Sequence, residues 1–158
     1  MIEYISGDMF ENLQEGDAIA HGCNCQGIMG AGVAGIVSAR WPEMYTEYRR
    51  LCQAGLLRPG DVYPYVTPDG IIVFNLMTQD FPGKDAKLSW IMASVNSMLY
   101  TAWRSGLIKQ IRIPAIGAGI GGLKFEDVKK TLEKVITDHE DWTGKETANL
   151  ILFTLPRK

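Results

Sequence analysis

The sequence predicts an α/β sandwich with a mixed sheet that is parallel at its centre. Three observations carry this: short β-rich runs alternate with helical periodicity along nearly the whole chain, Pro and Gly punctuate the changeovers, and two glycine-rich windows each follow a strand and precede a helix. With 158 residues the chain fits a single domain, residues 1–158, with no repeat, linker or low-complexity tract to divide it.

Ile2 to Ser6 alternates apolar and polar residues as a strand does, and Gly7-Asp8 ends it. After a turn near Gly16, Asp17 to His21 reads as a short buried strand that runs into the first glycine window. From Val33 the pattern turns helical, with Ile36, Val37 and Trp41 on one side. Pro42 opens a second helix at the position where a missing N–H costs nothing, and Tyr45, Tyr48, Leu51 and Cys52 give it an apolar stripe up to Gly55.

Asp61 to Thr67 and Ile71 to Met77 read as strands joined by the turn Pro68-Asp69-Gly70, which places an antiparallel pair in the sheet. A polar loop, Thr78 to Lys87, follows. Leu88, Ile91, Val95, Met98, Leu99 and Ala102 recur at helical spacing, and Ile108 to Ile113 is a strand ending at Pro114. Phe125, Val128, Leu132, Val135 and Ile136 mark a last helix, and Asn149 to Leu155 a last strand.

Composition narrows the function. Hydrophobic residues make up 46% and charged residues 22% of the chain, the balance of a globular protein. Sixteen Lys and Arg against 18 Asp and Glu leave a net charge of -2, too few cations for bulk nucleic-acid binding. No apolar run approaches the roughly 20 residues of a membrane span, and the start Met1-Ile2-Glu3-Tyr4 is unlike a signal peptide, so a cytoplasmic protein without membrane contact is expected. Three cysteines, two of them at positions 23 and 25, argue against a disulfide framework.

Eight of the 17 glycines fall in the two windows, at 27, 30, 32 and 35 and at 117, 119, 121 and 122. Strand-to-helix turns at the carboxyl edge of an open α/β sheet are where ligands bind, and glycine there lets backbone amides and a helix N-terminus meet an anion. Neither window matches the dinucleotide or P-loop fingerprints. Two such loops on one sheet edge favour a bisphosphate, dinucleotide-like ligand. A single loop of this kind fits a mere tight connection equally well.

The stretch Ala20-His21-Gly22-Cys23-Asn24-Cys25-Gln26-Gly27, then Met29-Gly30-Ala31-Gly32-Val33-Ala34, resembles the macrodomain, a three-layer α/β/α module that binds ADP-ribose. Ile113-Pro114-Ala115-Ile116-Gly117-Ala118-Gly119-Ile120-Gly121-Gly122-Leu123 fits the same family, in the branch that holds fungal ADP-ribose 1″-phosphate phosphatases and ADP-ribosyl glycohydrolases acting on protein or DNA. The resemblance runs from Tyr4-Ile5-Ser6-Gly7-Asp8-Met9-Phe10 to Leu152-Phe153-Thr154-Leu155.

It implies that Asp8 accepts a hydrogen bond from the adenine amino group, with Met9 beside it and Phe153 and Leu155 bordering the base. Asn24 would meet the distal ribose. Gly30, Ala31, Gly32 and Val33 would cradle one phosphate, and Gly117, Ala118, Gly119, Ile120 and Gly121 the other. Read from the residues alone, Asp8 also fits a turn or cap, Asn24 a loop brace and Phe153 plain core.

For chemistry, the resemblance implies a Lys after the strand ending Asn75-Leu76-Met77-Thr78 and an Asp in the second loop if the protein is a glycohydrolase. This sequence has Gln79 and Gly121 there, and Ala34 where other macrodomain hydrolases carry an Asp. Hydrolysis of ADP-ribose 1″-phosphate is therefore the expected reaction, with ADP-ribose as product, and the alternatives are a non-catalytic reader or an ADP-ribosyl glycohydrolase with a relocated base such as Asp80, with ADP-ribosylated macromolecules as further partners. His21 is expected as acid or base beside Asn24, with Asp80 and Lys84 as the nearest replacements, although a lone His at a buried strand end is more often hydrogen-bonded structure than catalyst. No cofactor is expected. His21, Cys23 and Cys25 lack a fourth ligand, so no metal is expected either.

Overall fold

A computed structural model describes residues 1–154, so Leu155, expected at the base, lies outside the described residues. The elements are β1 (Ile2–Ser6), β2 (Ala18–Cys23), α1 (Gly32–Arg40), α2 (Pro42–Gln53), β3 (Val62–Val66), β4 (Ile72–Met77), α3 (Leu88–Ser105), β5 (Gln110–Pro114), a short 3-10 turn at Gly119–Gly121, α4 (Phe125–Thr143) and β6 (Asn149–Thr154). The six strands form one sheet in the order β1-β6-β5-β2-β4-β3. Every neighbouring pair is parallel except the β3–β4 hairpin, as the alternation of strands and helices predicts. Pro64 sits on β3, the edge strand, where its missing N–H is tolerated.

A parallel sheet must be covered on both faces, and the pleat sorts the side chains accordingly. Ala18, Ala20, Phe74, Leu76, Ile111, Ile113, Leu150 and Leu152 pack with α3 and α4 through Ile91, Val95, Met98, Leu99, Val128 and Leu132. On the other face Ile19, Cys23, Val73 and Met77 meet Val37, Trp41, Met44 and Tyr48 of α1 and α2. These two layers and the sheet make the three-layer α/β/α sandwich. Ile36 departs from its expected stripe: it is exposed, and Val37 is the residue α1 buries. The fifth strand begins at Gln110, two residues later than its apolar run, because Ile108 and Lys109 belong to the turn that returns from α3.

His21, expected as acid or base, lies inside the sheet. It is fully buried between Ile19 and Cys23 on β2, and Nε2 lies 2.6 Å from Oδ1 of Asn75, its register partner on β4. Asn75 in turn donates from Nδ2 to the Tyr63 carbonyl at 3.0 Å on β3. A buried polar side chain needs such partners, and this pair cross-links three strands in the core. Burial disfavours the imidazolium and lowers the His21 pKa to about 4, so at neutral pH the ring is uncharged.

A folded-state value below the unfolded value of about 6.5 means that the unfolded chain binds the proton first, so stability is full above pH 6.5 and falls as pH drops toward 4. His21 should contribute a loss of roughly 3 kcal/mol over that window. Chemical denaturation at a series of pH values checks the loss. NMR titration of the His21 ring should show a midpoint near 4, and a midpoint near 6.5 would contradict the buried pair.

Candidate functional site

The sheet opens between β2 and β5. These strands pair only at Ile19 with Arg112, whereas β2 and β4 stay in register from Ala18 with Ile72 to Cys23 with Met77. The order of strand connection also reverses at this gap, since β2 leads outward to β4 while β5 leads the other way to β6. Such a switch point leaves a crevice at the carboxyl ends of the strands. A cleft of about 280 Å³ occupies it, lined by the ends of β2, β4 and β5 and by the two glycine loops.

The first loop is held from inside. Oδ1 of Asn24 accepts from the amides of Gln26 at 3.0 Å and Ile28 at 3.4 Å, and Nδ2 donates to the Ile28 carbonyl at 2.8 Å. The Tyr48 hydroxyl, reaching from α2, donates to the Asn24 carbonyl. Asn24 is thus a loop brace, yet it lines the cleft, and the second hydrogen of Nδ2 has no partner among the described residues. Beyond it α1 begins at Gly32. Its cap residue Ala31 has no side-chain acceptor to offer, so the first-turn amides at the cleft edge are left for a ligand.

The second loop follows β5. Ala118, Gly122 and Leu123 use their N–H groups on carbonyls of the loop itself and Ile116 on that of Pro114 at the end of β5, whereas the Gly117 amide has no such bond. Gly117 has φ +76, and a Cβ there would stand 2.7 Å from Cδ1 of Ile91 and 3.1 Å from Cδ1 of Leu123. Only glycine fits this point on both counts. Across the cleft, Gly32 has φ +59, and a Cβ there would lie 3.5 Å from Cδ1 of Ile120, so the loops approach each other at the mouth.

The lining has no charged side chain. Its one titratable group is the Cys23 thiol, held protonated because burial pushes its pKa well up. The side chain of Gln79, where a nucleophilic Lys would stand, is tied into its own turn by Nε2 donating to the carbonyls of Phe81 at 2.6 Å and Gly83 at 3.0 Å. Gly121 faces it: a Cβ there would lie 3.5 Å from Oε1 of Gln79 and 3.0 Å from Ala86 Cβ. No group of three or more His, Cys, Asp or Glu is placed to hold a metal among the described residues.

The structure gathers Asn24, Gly30, Ala31, Gly32, Val33, Gly117, Ala118, Ile120 and Gly121 on the cleft, with Gly119 in the same loop. It leaves out His21, Asp80, Asp8, Met9 and Phe153. Asp80 follows Gln79 but accepts from Nε2 of Gln26 at 3.1 Å, and its carbonyl accepts from the Cys25 amide. Asp8 is exposed after β1 and caps its own turn through the Phe10 amide at 2.9 Å. Met9 is buried, and its carbonyl accepts from Arg112, whose guanidinium lies 5.9 Å from the Phe153 ring. Asp8 and Phe153 thus form a second group on the same sheet edge, over β1 and β6. Sequence reasoning missed Gly22, Ile28, Thr78, Pro82, Pro114 and Ile116 on the cleft. The position of Thr78 just past β4, the neighbour of β2, was the signal available.

A six-stranded α/β/α sandwich with two glycine loops across its switch point defines an anion-binding module. The Macro domain family model matches residues 20–132, and the chain belongs to the macrodomain family. An ADP-ribose 1″-phosphate phosphatase of Scheffersomyces stipitis is 39% identical, over 85% of this chain and 94% of that protein. A DNA ADP-ribosyl glycohydrolase of Mycobacterium tuberculosis is 33% identical over 84% of this chain. The chain spans only 38% of the length of that relative. Among solved structures, the macrodomain of Mycobacterium tuberculosis DarG superposes with a TM-score of 0.82 at 28% identity, covering 99% of both chains.

Gly117→Ala should lower stability by about 2 kcal/mol or more, since it adds positive-φ strain to a clash with Ile91. A thermal melt measures this, and an unchanged midpoint would mean that the loop is free to move aside.

Proposed function

We propose that this chain binds ADP-ribose, with the pyrophosphate between Gly30–Val33 and Gly117–Gly121, the adenine toward Asp8 and Phe153, and the terminal ribose toward Asn24 and β4. The observation that carries this reading is a cleft with an uncapped helix start on one wall and a Gly117 amide free of loop bonds on the other, without any charged side chain. Amides and a helix dipole hold a diffuse anion without a cation. The residues act as one domain over 1–158, and the free cysteines Cys23, Cys25 and Cys52 suit a reducing cytoplasm.

Calorimetry with ADP-ribose tests the reading, and no heat of binding would remove it. Asp8→Ala should weaken binding by roughly 1–3 kcal/mol if the adenine contact is made there. An unchanged affinity would move the base elsewhere.

A reaction is proposed alongside binding, supported by the phosphatase relative that matches this chain over nearly its whole length. In ADP-ribose 1″-phosphate, water adds to the phosphorus as the bond from phosphorus to the 1″ oxygen breaks, giving ADP-ribose and inorganic phosphate. Asn24 would orient the terminal group, and Asp80, next in the chain to the cleft-lining Gln79, is the carboxylate proposed as base. Glycohydrolysis has less support, because Gln79 and Gly121 offer neither nucleophile nor base. Phosphate release from that substrate should fall about 100-fold or more in Asp80→Asn with ADP-ribose affinity preserved. Absence of release from the unaltered protein would leave ADP-ribose binding without catalysis.

A further inference from the structure

Thr78 is a buried residue on the cleft, at 1% exposure, whose hydroxyl makes no hydrogen bond among the described residues. Its backbone is fixed: the amide donates to the carbonyls of Cys23 and Leu76, and the carbonyl accepts from Lys87. Burying an unpaired hydroxyl is costly unless a ligand or water meets it.

Gly22 makes the room. It lies within β2 without a left-handed φ, so its backbone alone does not require glycine. A Cβ there would stand 2.8 Å from Oγ1 of Thr78 and 3.7 Å from Cβ of Ile116. The missing side chain is a cradle that lets the hydroxyl of one strand end lie against the next. The same cleft is lined by Asn24, whose Nδ2 keeps a spare N–H, and by Gln79, whose amide hydrogens are spent on Phe81 and Gly83 and leave Oε1 to accept. One donor, one acceptor and one group that does both, all uncharged, suit a sugar hydroxyl better than a phosphate.

The strand order says which sugar. Asp8 and Phe153 lie over β1 and β6, the glycine loops over β5 and β2, and Thr78 over β4 at the far end. We propose that the Thr78 hydroxyl, seated against Gly22, is a specificity-determining contact for the terminal ribose of the bound ligand, a hydrogen bond to a ribose hydroxyl that ADP does not offer. This rests on the ADP-ribose reading of the cleft.

Calorimetry with ADP-ribose and with ADP separates the possibilities. Thr78→Val keeps the shape and removes the hydroxyl, and it should weaken ADP-ribose about fivefold while leaving ADP within about twofold. Thr78→Ser should restore ADP-ribose affinity. Gly22→Ala, whose new methyl displaces Oγ1, should mimic Thr78→Val with the hydroxyl still present, and it stands in if Thr78→Val fails to fold by its melting curve. Equal losses for both ligands, no loss for either, or failure of Ser to rescue would overturn the proposal. Unaltered protein that binds neither ligand would instead overturn the reading of the cleft on which it rests.

Discussion

The parting of β2 from β5 is the constraint on which the rest of the molecule depends. With one register pair between them, at Ile19 and Arg112, the carboxyl ends of two central strands diverge, and the loops that leave them frame a crevice. Arg112 holds that geometry. Its Nη1 donates to the carbonyls of Met9 at 3.0 Å and Glu11 at 2.6 Å, Nη2 pairs with Asp17 at 3.6 Å, and the guanidinium lies against Phe153. A single side chain on β5 therefore sets the β1–β2 connection, where Asp8 sits, against the end of β6. The arrangement that opens the cleft also places the Asp8 and Phe153 group on the same sheet edge.

A neutral cleft for an anion follows from the same loops. The net charge of -2 gives no surplus of cations, and the lining holds no charged side chain, since the groups offered are amides and a helix start. Amide dipoles are fixed by the fold and need no counter-charge when the cleft is empty, whereas a buried Lys or Arg would need one. Glycine is the structural cost of that choice. At Gly117 the chain gives up a side chain to gain an approach distance, and Ile91 and Leu123 fill the space beneath.

Most of the fold was legible because period and punctuation agree along the chain. The alternation at Ile2 to Ser6, the Pro42 helix start and the glycine loops all report local physics that the tertiary structure keeps. The site was legible where the backbone makes it and obscure where side chains do. His21 and Gly22 are neighbours in β2, and sequence singled out the first for its chemistry. Period 2 places them on opposite faces without saying which face meets the cleft, since that depends on how β4 and β5 flank the strand. Thr78 stayed hidden for a related reason: it belongs to the cleft only because β4 pairs with β2, a contact between residues more than fifty apart.

Chemistry at this site is limited by where acids and bases stand. His21 is neutral and committed to Asn75, Cys23 is held protonated, and the nearest carboxylates, Asp80 and Asp85, brace the turn after β4. Asp85 accepts from the amides of Asp80 and Phe81, which keeps its carboxyl below the usual range and anchored away from the proton traffic a base must carry. Asp80 is freer, because its Oδ1 partner is the exposed amide of Gln26. If water is activated here, Oδ2 of Asp80, which has no hydrogen-bond partner among the described residues, is the oxygen open to it. The proposed ribose contact at Thr78 and the proposed base at Asp80 thus draw on different groups, the first lining the cleft and the second in the turn beside it.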